Sequence, residues 1–150
     1  MADRITVTLH ELVAELDLYA DTYLRAHHDV TYNLFEFLAT LAELEPVDLT
    51  SLARCLRVTR AAVSKRAPVL EADGWIVATA GPGRRVELAL TGRGRDLVHR
   101  AGGELEEAFT DMLGDPRLDP LRSPGAIDPD ALHAHLRTLT AIVLEKGAGA

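Results

Sequence analysis

Arg60, Ser64 and Lys65 lie in one short segment of this 150-residue chain, and Arg84 and Arg85 lie in another. These are side chains suited to a polyanion. Arginine and lysine donate to phosphate oxygens and to the acceptor atoms of guanine, while small neighbours such as Ala61, Ala62 and Ser64 let a helix approach base edges. With Thr59 and Arg66 on the flanks, the candidate DNA contacts are Thr59, Arg60, Ala61, Ala62, Ser64, Lys65, Arg66, Arg84 and Arg85. The formal charge of −7 argues against such a partner until it is divided along the chain. Residues 54 to 100 hold ten Lys or Arg against four Asp or Glu, a balance of +6, and the remainder carries −13. Local potential within a Debye length of roughly 8 Å, not net charge, governs contact with phosphates.

Two short helices and a hairpin must position these residues. Asp48 stands where an N-cap is wanted, able to accept from the backbone N–H of Ser51, and Leu49, Leu52, Ala53 and Leu56 follow on an inward face. Arg57 and Val58 form the turn, and Thr59 caps a second helix whose inward residues are Val63, Ala67 and Leu70. Gly74 ends that helix as a left-handed C′ residue. Arg60, Ala61, Ala62, Ser64 and Lys65 are then directed outward. Pro68, inside the helix, removes one hydrogen bond and crowds the Ser64 carbonyl, which predicts a kink. Trp75 to Ala80 and Arg85 to Thr91 alternate as two strands around a Gly81, Pro82 and Gly83 turn. Together these parts make a winged helix-turn-helix, in which the second helix fits a major groove and the basic wing tip reaches a minor groove.

Helical spacing extends to both sides. Leu9, Leu12, Val13, Leu16, Ala20, Tyr23 and Leu24 predict a helix over about 9–28, and Leu34, Phe37, Leu38 and Leu41 predict one over about 31–43. A long helix is expected over 93–113, weakened in its middle by Gly102 and Gly103, and a last one over about 130–146. Four prolines and two glycines in Gly114–Pro129 mark a loop. The terminal KGAGA is expected to fray. The fold class is therefore mainly α with a small two-stranded β-wing, a single domain over 1–150 with its winged core at about 31–92. The helices at 9–28, 93–113 and 130–146 carry more apolar surface than a small head needs, which predicts a homodimer. The alternative is that they fold back on their own wing.

The order LARCLRVTRAAVS, then LEADGW, then a basic hairpin ending in LALTGRGRDL, resembles the MarR family of bacterial regulators. The linked set is Leu52, Ala53, Leu56, Val63, Leu70, Glu71, Gly74, Trp75, Leu90, Thr91 and Gly94. The resemblance covers most of the chain. It implies a homodimer that binds a pseudopalindromic operator, usually as a repressor, and is released when a small phenolic or otherwise aromatic effector binds between the reading head and the dimer helices. The chain departs from the pattern in a shorter wing, in Arg57 for a common turn glycine, in Arg66 where an apolar residue is frequent, and in Pro68.

Tyr19, Tyr23 and Tyr32, with His27 and His28, fall where that family places its effector, so they are the candidate ligand residues. Adjacent histidines on a helix point about 100° apart, so His27 and His28 make a poor chelate, and no metal site or cofactor is expected. Cys55 cannot form an internal disulfide. It is expected to be a small buried hydrophobe between helices, the alternative being a redox-responsive thiol. No nucleophile, metal or phosphate-loop motif stands at a telling spacing, which points away from an enzyme. A winged helix used only for protein interaction is the competing function. No apolar run nears the ~20 residues that cross a bilayer, and the N-terminus lacks a secretory pattern, so a cytoplasmic protein is expected.

Overall fold

A computed structural model describes residues 4–118 and 127–148. The chain forms two compact units, Met1–Gly103 and Glu104–Ala150.

The first unit begins with α1 (Ile5–His28), which starts one turn before the expected position. Its C-terminal half is anchored by buried Ala20 and Leu24, while Leu9, Leu12 and Val13 of the predicted stripe stay exposed. Helix α2 (Tyr32–Leu44) is capped by the Thr31 hydroxyl, which accepts from the Leu34 N–H at 3.1 Å. A second cap comes from α1, where the Asp21 carboxylate accepts from the Tyr32 N–H at 2.8 Å. Phe37, Leu38 and Leu41 of α2 are buried as the spacing predicts.

Next come β1 (Val47–Asp48), α3 (Leu49–Leu56) and α4 (Arg60–Ala72), then β2 (Ile76–Ala80) and β3 (Val86–Leu90). The sheet has three antiparallel strands in the order β1-β3-β2, with Val47 opposite Leu88 and Ala78 opposite the same residue on the other side. The expected two-stranded wing is thus joined by a third strand. Two residues are too few to show an alternation of period two, so β1 leaves no pattern in the sequence. Leu24, Phe37, Leu38, Leu41, Leu52, Val63, Ile76 and Leu88 are the largest fully buried side chains, and they fill the space between the helices and the sheet.

Helix α5 (Gly92–Leu113) runs unbroken through Gly102 and Gly103, and the division between the two units falls after that pair. In the second unit a short 3-10 turn, Pro116–Leu118, lies within the predicted loop, whose residues 119–126 fall outside the described residues. Helix α6 (Pro129–Ala148) continues two residues past the expected end, so the start of the KGAGA tail is helical and its last two residues fall outside the described ones. None of the residues of α6 is buried, and Leu136, Leu139, Ile142 and Val143 are exposed. No helix among the described residues is long and apolar enough to cross a membrane.

Candidate nucleic-acid interface

Local chemistry fixes both ends of the two short helices. Asp48 Oδ1 accepts from the Ser51 N–H at 2.8 Å, and Thr59 Oγ1 accepts from the Ala62 N–H at 3.1 Å, so both predicted N-caps are made. The Ser51 amide also holds the Asp48 carboxyl below its usual pKa, with Arg85 contributing. Helix α3 closes with Arg57 at φ +55°, a left-handed conformation that costs a non-glycine residue roughly 1–2 kcal/mol. Helix α4 closes on Gly74 at φ +79°, with the Trp75 N–H donating to the Leu70 carbonyl at 2.9 Å and the Gly74 N–H to Glu71 at 3.0 Å. That pair of bonds is a Schellman closure, and it satisfies carbonyls that the helix end leaves free.

Helix α4 is one α-helix through Pro68. Both Pro68 and Ser64 are exposed, so water can take the carbonyl that the missing N–H would have bonded. Arg60, Ala61, Ala62, Ser64 and Lys65 are all exposed, and Val63, Ala67 and Leu70 are buried beneath them.

A groove of about 500 Å³ opens between the start of α3, the start of α4 and the wing. Arg60 lines it from α4, and Arg84 and Arg85 line it from the hairpin. The wing tip, Pro82–Arg84, is a tight turn and not a regular 3-10 helix, because Gly83 and Arg84 both take left-handed angles, φ +67° and +65°. Arg54 of α3 joins them, a residue absent from the sequence-derived contacts. Its signal was present: Thr50 and Arg54 are four residues apart on the exposed side of α3, one helical turn, and Thr50 also lines the groove. Asp48 places one carboxylate among these four guanidinium groups.

Three predicted contacts also touch other parts of the fold. The Thr59 hydroxyl oxygen accepts the cap hydrogen bond, and Ala62 borders a separate small cavity with Arg66. Arg66 turns away from Lys65 toward α2: its Nη2 donates to the Asn33 carbonyl at 3.1 Å, and its guanidinium sits 4.9 Å from the Phe37 ring centre. Cys55 is exposed, which corrects the expectation of a buried thiol. Leu52 and Ala53 already fill the inward face of α3, and position 55 falls outside that arc.

Four of the five candidate ligand residues form a column on α1, and the fifth, Tyr32, opens α2. Tyr19 and Tyr23 stack with ring centres 6.3 Å apart, Tyr23 and His27 stack at 4.1 Å, and His28 tilts against Tyr23 at 6.3 Å. His27 Nδ1 also donates to the Tyr23 carbonyl at 2.9 Å. The Tyr32 phenol is pushed up to about 12 by burial and by its hydrogen bond to the Asp17 carboxylate. A raised phenol pKa favours the neutral side chain in the fold. Stability should therefore be complete below pH 10 and decline as pH rises toward 12. Tyr32→Phe should remove the phenolate absorbance step near pH 12; its persistence would show that another tyrosine carries the shift. Among the described residues no group of three or more His, Cys, Asp or Glu could hold a metal ion.

No protein-family model matches the sequence, and no curated protein matches it. Solved structures do match the fold. FabT of Streptococcus pneumoniae, determined in complex with DNA, superposes with a TM-score of 0.69 at 19% identity, covering 98% of each chain. MarR of E. coli gives 0.67 at 20% identity over 96% of this chain and 99% of the other. A Mycobacterium tuberculosis MarR-family protein, determined with p-aminosalicylic acid, gives 0.63 at 22% identity over 93% and 98%. The order of helices and wing strands, the capped helix-turn-helix and these superpositions together give the chain the fold of the MarR-family regulators.

Proposed function

We propose that the chain is a homodimeric DNA-binding transcriptional regulator that acts in the cytoplasm as a repressor on a pseudopalindromic operator. The observation that carries this reading is the groove in which Arg54, Arg60, Arg84 and Arg85 face one space beside the exposed start of α4. Four guanidinium groups on three elements can donate to phosphate oxygens, and the adjoining small residues of α4 admit base edges. Similar structures of FabT and of Staphylococcus aureus MepR were determined with DNA. The exposed apolar residues at the start of α1 and along α6 support a second copy as their cover. The aromatic column of Tyr19, Tyr23 and His27, with His28 tilted against it, supports a small aromatic effector that releases the DNA, as does the p-aminosalicylic acid bound to the M. tuberculosis protein.

Selecting bound sequences from a random DNA pool tests the central claim. Affinity for the selected DNA should fall steeply with salt, because bound phosphates release counterions. Lys65→Ala and Arg84→Ala should each weaken binding, and Arg60→Ala should relax the preference at one base position by about 1 to 3 kcal/mol. Association that ignores salt, or a pool from which nothing is enriched, would overturn the reading and favour a protein-docking module.

A further inference from the structure

Helix α4 packs on α3 and on β2, and beside these contacts a small cleft opens between α2, the end of α3 and α4. The cleft measures about 80 Å³, with Phe37 and Val63 buried at its floor and Leu56, Val58, Ala62 and Arg66 around it. A polar side chain also links the two helices. Arg66 leaves α4, lays its guanidinium over the ring of buried Phe37 and donates to the Asn33 carbonyl in the first turn of α2. Burial lowers the pKa of Arg66, and Glu36, one turn further along α2 and bordering the same cavity, opposes that shift.

We propose that Arg66 is a positioning residue, a strut that sets the angle at which α4 presents Arg60, Ala61, Ser64 and Lys65 to DNA, rather than a phosphate contact. This rests on the DNA-binding reading above. A planar guanidinium can lie on an aromatic face and donate sideways to a carbonyl at once. The ammonium of lysine has no plane to stack and is more strongly hydrated, so it keeps the charge but loses the strut. That difference separates the two roles, because a phosphate contact needs mainly the charge.

The test uses the full chain and DNA selected from a random pool by the wild-type protein. Arg66→Met and Arg66→Lys are compared with it for affinity to the selected DNA, affinity to unrelated DNA, and the slope of log affinity against log salt. Thermal melting identifies which variants remain folded. A strut predicts that both variants lose at least tenfold in the ratio of selected to unrelated affinity, while the salt slope and the unrelated affinity stay at the wild-type values. A slope reduced by about one unit in Arg66→Met and restored in Arg66→Lys would make Arg66 a phosphate contact and overturn the proposal. Unchanged ratios in a folded variant would overturn it as well. If only Arg66→Lys folds, its ratio decides, since lysine rescues a charge contact and not a strut. Failure of the broader reading looks different: the wild-type chain itself would then enrich no sequence.

Discussion

Gly94→Ala should destabilise the fold by roughly 3 kcal/mol in chemical denaturation, although alanine is the better helix former. In an open helix the change would gain about 1 kcal/mol. Position 94 is not open. A methyl group there would fall inside contact distance of the Trp75 carbonyl and 3.3 Å from Leu90 Cδ2. The carbonyl cannot step aside, because it accepts from the Thr91 N–H at 3.1 Å. Thr91 in turn ties the two segments together, donating to the Gly74 carbonyl at 2.7 Å and accepting from the Gly94 N–H at 3.1 Å. The first turn of α5 thus lies against the C-terminal closure of α4, and only a hydrogen fits between them. A variant as stable as the parent, or more so, would show that α5 can lift off without cost.

A larger loss is expected for Phe37→Ala, about 3 to 5 kcal/mol, a major share of the roughly 5–15 kcal/mol that holds a domain of ordinary stability. The ring is 1% exposed and sits in the middle of α2. Removing it enlarges the cavity already present between α2 and α4, and takes away the surface on which Arg66 rests. Collapse could recover little of this, since Leu38 and Leu41 are committed to the same core. A midpoint shift in denaturant worth less than about 1 kcal/mol would mean that the neighbours refill the site.

Features governed by a few adjacent residues were legible in the sequence. Asp48, Thr59 and Gly74 reveal themselves because a side-chain oxygen two or three residues before an amide, or a glycine where φ must be positive, acts within one turn of chain. The inward sets of α2, α3 and α4 follow from the same periodicity. What escaped depends on residues far apart. Strand β1 exists only because Val47 and Asp48 meet Leu88 and Glu87 some forty positions later. Arg54 enters the groove because the hairpin folds back toward α3, and Arg66 reaches α2 because Asn33 and Phe37, about thirty positions earlier, offer a carbonyl and a ring. Helical spacing alone placed Leu9, Leu12 and Val13 on the same stripe as Ala20 and Leu24, but only the second pair is covered within the chain.

The double capping of α4 also bears on how such a chain can change over generations. Thr59 fixes where the helix begins and Gly74 where it ends, so its thirteen residues form a segment of set length. One residue inserted or deleted between those caps would rotate everything downstream by about 100°. Val63, Ala67 and Leu70 could not then stay buried while Arg60, Ser64 and Lys65 stayed exposed. Substitution is therefore the main route open to this stretch, whereas the wing turn at Gly81 to Arg85, bounded by strands and facing solvent, can vary in length as well.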